Sequence, residues 1–118
     1  MKILIIDGEI EVASLLAESV KGQGHEAIVA YDGREGLALL TQHQLDAVFL
    51  DVFLPEVSGI EVLRQIRRTD WSLPVIIVTG RASPEELEEA RRLGVTEIIQ
   101  KPFILTQFDD ALARLRRG

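Results

Sequence analysis

Five short apolar runs recur along the chain: Ile3–Ile6, Ala27–Ala30, Ala47–Leu50, Val75–Val78 and Ile98–Ile99. Most are continuous rather than alternating in polarity. A strand with one wet face alternates, whereas a strand covered on both faces does not, so the runs read as strands of a parallel sheet. Segments of helical periodicity lie between them. Val12, Leu15, Leu16 and Val20 repeat at three-to-four spacing, and Gly36, Leu37 and Leu40 do so less regularly. Ile60, Leu63, Ile66 and Arg67 form a further stripe, with the outer side of Arg64–Arg68 polar. Leu87, Ala90 and Leu93 mark the next helix, with Ser83 as N-cap, Pro84 at its first position and Gly94 just past its end. Glu88 and Arg92 are spaced for an ion pair on its wet side. Leu105, Phe108, Leu112 and Leu115 form the last stripe. Strand then helix, five times over, predicts an α/β doubly wound five-stranded parallel sheet with helices on both faces and right-handed crossovers. A common strand order for five strands is 2-1-3-4-5.

The 118 residues suit one domain, 1–118, and 47% of them are hydrophobic, enough for a sizeable core. Nineteen acidic against thirteen basic side chains give a net charge of −6, which argues against direct nucleic-acid binding. The closing run Arg114–Gly118 is basic; it reads as a helix end, with the start of a linker as the alternative. The absence of cysteine excludes disulfides and thiolate metal sites and fits a reducing, cytoplasmic setting. No apolar run approaches the roughly 20 residues that span a bilayer, so no membrane association is expected.

In such sheets ligands bind beyond the carboxyl ends of the strands, where the strand order reverses. The first run is followed by Asp7, the third by Asp51, the fourth by Thr79 and the fifth by Lys101, while the second gives way to a turn, Tyr31-Asp32-Gly33. In the order 2-1-3-4-5 the four polar ends are contiguous, and Asp7 and Asp51 flank the switch point. Singly, each has an ordinary role: Asp51 a turn cap, Asp7 a helix cap, Thr79 a strand former, Lys101 a surface charge. Together they put two carboxylates, a hydroxyl and an ammonium at one crevice. Asp51 in particular ends the run Val48–Leu50, where a carboxylate is expensive to desolvate unless something pairs with it.

These residues resemble the receiver domains of two-component response regulators, which are CheY-like and flavodoxin-like in fold. The resemblance covers essentially the whole chain. It rests on Ile3–Glu9, on the Asp-x-x-x-Pro-x-x-x-Gly pattern of Asp51, Pro55 and Gly59, on Thr79-Gly80 and on Lys101-Pro102. It implies that Asp51 is a phosphoacceptor, taking a phosphoryl group from a histidine kinase or phosphotransfer protein by nucleophilic attack of its carboxylate. It implies Mg²⁺ held by Asp7, Asp51 and the backbone carbonyl of Phe53, since a hard cation suits carboxylate and phosphoryl oxygens. Lys101 would contact carboxylate and phosphoryl oxygen, Thr79 would donate to the phosphoryl group, Gly80 would leave room beside it, and the Lys101-Pro102 peptide would be cis. The expected listener is a downstream protein or an output domain.

Two departures matter. The family carries two adjacent acids after its first strand, and here Gly8 follows Asp7. Three consequences are open: weak Mg²⁺ binding through Asp7, Asp51 and extra water, substitution by Glu9, or loss of useful binding. Glu9 itself reads first as an acid facing a helix dipole. Ile98 stands three residues before Lys101, where many receivers place an aromatic ring, so any switch relies on Thr79 and the Gly80–Pro84 loop. His25 and His43 lack partners at metal-ligand spacing, and Trp71 is expected to cover the base of the sheet. A signalling phosphoacceptor is therefore preferred to an enzyme with turnover. The alternative is a pseudo-receiver that works through protein contacts with weak or no phosphorylation. A small hydrolase ranks last, because Phe53 stands where a general acid two residues past Asp51 would be needed.

Overall fold

Each apolar run becomes a strand and each periodic stretch a helix. The strands are β1 (Lys2–Ile6), β2 (Glu26–Ala30), β3 (Ala47–Leu50), β4 (Val75–Thr79) and β5 (Glu97–Gln100). The helices are α1 (Ile10–Gly22), α2 (Gly33–Gln42), α3 (Gly59–Thr69), α4 (Pro84–Arg92) and α5 (Leu105–Arg117). The structure, a computed structural model, describes residues 1–103 and 105–117. All paired strands are parallel and their order is β2-β1-β3-β4-β5, as the sequence pattern predicts.

The unbroken apolar runs are explained by burial on both sides. Ile3, Ile5, Phe49, Ile76 and Val78 pack under α1 and α5, which supply Leu16, Val20, Phe108 and Leu112. Leu4, Ile6, Val48, Leu50, Val75 and Ile77 face the other way, towards Leu37 of α2, Leu63 and Ile66 of α3 and Ala90 of α4. Each such buried aliphatic side chain contributes about 1.5–3 kcal/mol relative to exposure. Leu15 departs from the expected stripe. It is 45% exposed, and α1 buries Ala13 and Ala17 beside Leu16 and Val20 instead.

The cap chemistry of α4 follows the sequence. Ser83 accepts from the Glu86 N–H while the Glu86 carboxylate accepts from the Ser83 N–H, and Pro84 opens the helix. Gly94 follows the end with φ +72°, the left-handed value that favours glycine. The Glu88–Arg92 pair forms at 4.0 Å between exposed groups, where such contacts are worth little. The helix-end reading of the closing basic run holds through Arg117, and Gly118 lies outside the described residues.

Trp71 corrects an expectation. It is 62% exposed and does not cover the base of the sheet; it lies beside the Arg67 guanidinium, 5.6 Å from ring centroid to Cζ. Arg67 is the buried residue there. Its guanidinium donates to the carbonyls of Leu93, Gly94, Asp70 and Leu73, so that a charge on α3 closes the end of α4 and the entry to β4. Backbone oxygens alone satisfy it, which keeps a buried cation tolerable.

Gly59 has a different constraint. A Cβ built there would sit 2.0 Å from the Asp51 carbonyl oxygen, so the first turn of α3 rests directly on the backbone that carries Asp51. Gly59→Ala is expected to lower unfolding stability by about 1–3 kcal/mol through overpacking. Urea denaturation measures it, and an unchanged midpoint would show that the backbones separate without strain.

Candidate functional site

Parallel pairing of β1 and β3 brings their carboxyl ends level, Ile6 opposite Leu50, so the next residue of each, Asp7 and Asp51, emerges at the same rim. Their backbones are fixed there: the Asp7 N–H donates to the Ala30 carbonyl and the Asp51 N–H to the Ile6 carbonyl. Lys101 follows β5, and its N–H donates to the Thr79 carbonyl at 2.9 Å, which sets where its side chain starts. That side chain runs beside Gly80, where an added Cβ would meet Lys101 Cβ at 3.2 Å and Cδ at 3.9 Å. The Lys101-Pro102 peptide is cis, as expected.

The Lys101 ammonium ends among three carboxylates. Nζ lies 2.8 Å from Asp7 Oδ2, 2.8 Å from Glu9 Oε1 and 3.0 Å from Asp51 Oδ2. The Glu9 and Asp51 contacts are aligned hydrogen bonds. The Asp7 contact is an ion pair off the hydrogen-bonding angle, so buried Asp7 Oδ2 has no hydrogen-bond partner among the described residues. The other oxygens of the two aspartates are held by backbone: Asp7 Oδ1 accepts from the Glu9 N–H and Asp51 Oδ1 from the Phe53 N–H.

These contacts divide the ionisation behaviour. Burial is the largest influence on Lys101 and pulls its pKa down, but the three carboxylates outweigh it and hold the pKa above that of an ordinary lysine. Burial raises the Asp7 carboxyl above the usual 3.8, despite the opposing pull of Lys101 and the Glu9 N–H. The hydrogen bond from Lys101 lowers the carboxyl of Glu9, which lies in solvent.

Of the residues singled out by sequence, Asp7, Asp51 and Lys101 meet directly. Thr79 is buried at the last position of β4, with Oγ1 accepting from the Arg81 N–H at 3.5 Å, and among the described residues its hydroxyl makes no hydrogen bond to the acids. Phe53 is exposed at the rim beneath the Arg81 guanidinium, 4.9 Å from its ring centroid. The expectation for Glu9 is corrected. It is the N-cap of α1 in extended conformation, its side chain caps no backbone N–H, and the carboxylate turns into the cluster, where a nearby ammonium attracts it more strongly than a helix end. Arg81 was not anticipated either. The available signal was spacing: Glu9, Phe53 and Arg81 each stand two residues past a polar strand-end residue, and all three line the same open pocket of about 710 Å³. His43 ends α2 and His25 accepts from the Met1 ammonium, both apart from this rim.

Asp7, Glu9 and Asp51 offer carboxylate oxygens within 4.8 Å of one another, a hard-oxygen donor set that could hold a divalent ion. Asp7 Oδ2 is the observation that fits such an ion: it is buried and ion-paired with Lys101, yet accepts no aligned hydrogen bond among the described residues, which leaves its bonding capacity unfilled.

The fold is thus a doubly wound parallel sheet with an aspartate pair and a lysine gathered at its switch point. Residues 3–113 match the family described as "Response regulator receiver domain", and the chain belongs to that family. It is 37% identical over 116 residues to a response regulator MprA of Mycolicibacterium vanbaalenii, covering 98% of this chain and 49% of that protein. It is 35% identical to the uncharacterized transcriptional regulatory protein YkoG of Bacillus subtilis, covering 97% of this chain and 49% of that one. The chain thus spans about half the length of these curated relatives. Among solved structures it resembles the receiver domain of NtrX from Brucella abortus, with TM-score 0.89, 29% identity and 98% of each chain covered. It also resembles the chemotaxis protein CheY4 of Vibrio cholerae, with TM-score 0.87, 28% identity and 97% of each chain covered. Among the described residues no helix is long and apolar enough to cross a membrane.

An acid whose pKa rises on folding makes the folded state less favourable as pH climbs through that range. Without divalent ions, Asp7→Asn is therefore expected to raise the urea midpoint at neutral pH, and the gain should vanish below pH 3.8, the ordinary value for the group. An equal or lower midpoint at neutral pH would show that Lys101 more than repays the burial of Asp7.

Proposed function

We propose that the chain, residues 1–118, is a phosphoacceptor receiver module in which Asp51 takes a phosphoryl group from the phosphohistidine of a histidine kinase or phosphotransfer protein. The observation that carries this reading is Lys101 Nζ held 3.0 Å from Asp51 Oδ2 and 2.8 Å from Asp7 Oδ2 in one cluster. An Asp51 oxygen attacks phosphorus, the P–N bond breaks with its electron pair returning to the imidazole, and an acyl phosphate remains on Asp51. The residues contribute position and charge neutralisation, which dominate phosphoryl transfer. Asp51 is presented by the end of β3 and fixed through the Phe53 N–H, so its carboxylate faces the pocket without rearrangement. Lys101 acts as a point charge shared between the carboxylate and the incoming phosphoryl oxygens. The Thr79 hydroxyl donates to the phosphoryl group, and Gly80 leaves space beside it. Asp7, Asp51 and the Phe53 carbonyl would hold Mg²⁺, which when bound would supply further neutralisation of the oxygens that gather there.

The module is a switch with one event per signal rather than an enzyme with turnover, and it acts in the cytoplasm. Its acyl phosphate biases a pre-existing equilibrium through Thr79 and the Gly80–Pro84 loop, because Ile98 offers no ring to reorient. A downstream protein or an output domain reads the result.

Incubation with Mg²⁺ and acetyl phosphate, followed by intact mass, is expected to give one phosphoryl adduct that Asp51→Asn abolishes. Lys101→Met should slow its formation by about 100-fold, the effect of removing one charge-stabilising donor. Absence of an adduct, even with a kinase partner, would favour a pseudo-receiver that works through protein contacts alone. Steady phosphate release from a simple ester would favour a hydrolase.

A further inference from the structure

Three carboxylates surround Lys101, and they are not equivalent. Asp7 and Asp51 are buried, and each has one oxygen pinned by a backbone N–H. Glu9 has a side chain that is 64% exposed, and among the described residues no backbone N–H pins its carboxylate and its hydrogen-bond partner is Lys101. A carboxylate on a long, solvated side chain can relocate where the two aspartates cannot. The cluster of three carboxylates and one ammonium carries a net formal charge of −2, which one divalent cation neutralises. Asp7 Oδ2 is buried, ion-paired with Lys101 and without an aligned hydrogen bond among the described residues, and Asp7 offers a carboxylate oxygen within 4.8 Å of those of Glu9 and Asp51.

Lys101 poses the complementary problem. An ammonium has three N–H groups, and here it is surrounded by three carboxylates. Two of the N–H groups are donated to Glu9 and Asp51 and the remaining side of the ammonium faces Asp7 at ion-pair distance, so an incoming anionic oxygen must compete with a carboxylate until one withdraws. Glu9 is the one free to do so, and moving it from Lys101 to a cation would complete an oxygen shell and release a donor in the same motion.

We infer that Glu9 is an exchangeable ligand: it pairs with Lys101 when no divalent ion is bound and moves to the ion when one binds, leaving Lys101 free for the phosphoryl group. What Lys101 is released to do rests on the phosphoacceptor reading, while the ligand exchange stands on the cluster itself. Glu9 thus takes the place of an acid at position 8. Gly8 also supplies a clean control, since a Cβ there meets nothing nearer than Tyr31 O at 3.5 Å and Pro55 Cδ at 3.6 Å, so an aspartate fits.

The test is a Mg²⁺ titration of the wild type, Glu9→Gln and the double variant Gly8→Asp/Glu9→Gln, followed by amide shifts and the Glu9 carboxyl carbon. Glu9→Gln is expected to weaken Mg²⁺ binding by roughly tenfold, as loss of a charged ligand does, and Gly8→Asp to restore most of it. In the wild type the Glu9 carboxyl carbon should shift with the same midpoint as the Asp51 amide. Binding by Glu9→Gln within about twofold of wild type, a margin below half a kilocalorie per mole, would overturn the inference. So would a Glu9 carboxyl carbon that ignores Mg²⁺, or a wild type that binds none. An Asp51 adduct from acetyl phosphate that persists beside any of these results would confine the failure to Glu9 and leave the phosphoacceptor reading standing.

Discussion

The ammonium of Lys101 among the carboxylates of Asp7, Glu9 and Asp51 is the interaction on which the rest of the structure depends. Two aspartates at the ends of buried strands repel each other and lose hydration. A lysine arriving from β5, 12% exposed in its side chain, offsets both effects. The balance is incomplete, because one positive charge faces three negative ones. That residual negative charge is what makes the three carboxylates a candidate set of oxygen donors for a divalent ion.

The sheet serves this cluster by bringing the ends of β1, β3 and β5 to one rim. β1 and β3, which carry the two aspartates, are buried strands paired side by side, and β4 between β3 and β5 is buried throughout. Further contacts tie the scaffold down. Gly59 lets α3 lie against the Asp51 backbone, and Arg67 closes the junction of α3, α4 and β4 with bonds to four carbonyls. By contrast Glu9, Phe53 and Arg81 come from the connections, two residues beyond the strand-end positions, and line the pocket beside the cluster.

The architecture was legible because burial on both faces erases polar alternation, and the runs Ile3–Ile6 and Val75–Val78 carry that mark plainly. The meeting of Asp7, Asp51 and Lys101 was legible once strand order put their ends side by side. Glu9 was misjudged because local propensity favours an acid at a helix start, and only the fold reveals that an ammonium 92 residues away competes for it. Trp71 was misplaced for a related reason. Hydrophobicity suggested a cover for the sheet, yet the neighbouring site was taken by Arg67, whose guanidinium finds four carbonyls and leaves the ring outside. Leu15 likewise fits the stripe of α1, but the close approach of that helix to the sheet favours Ala13 and Ala17 on the inner side.

The most direct test of the central claim is a crystal structure of the protein grown with Mn²⁺ and beryllium trifluoride, a mimic of a phosphoryl group on a carboxylate. The account predicts anomalous density between Asp7 and Asp51, beryllium bonded to an Asp51 oxygen, and the Lys101 ammonium in contact with fluorine. Manganese away from this rim, or Lys101 still closed on all three carboxylates with Asp51 unmodified, would contradict it.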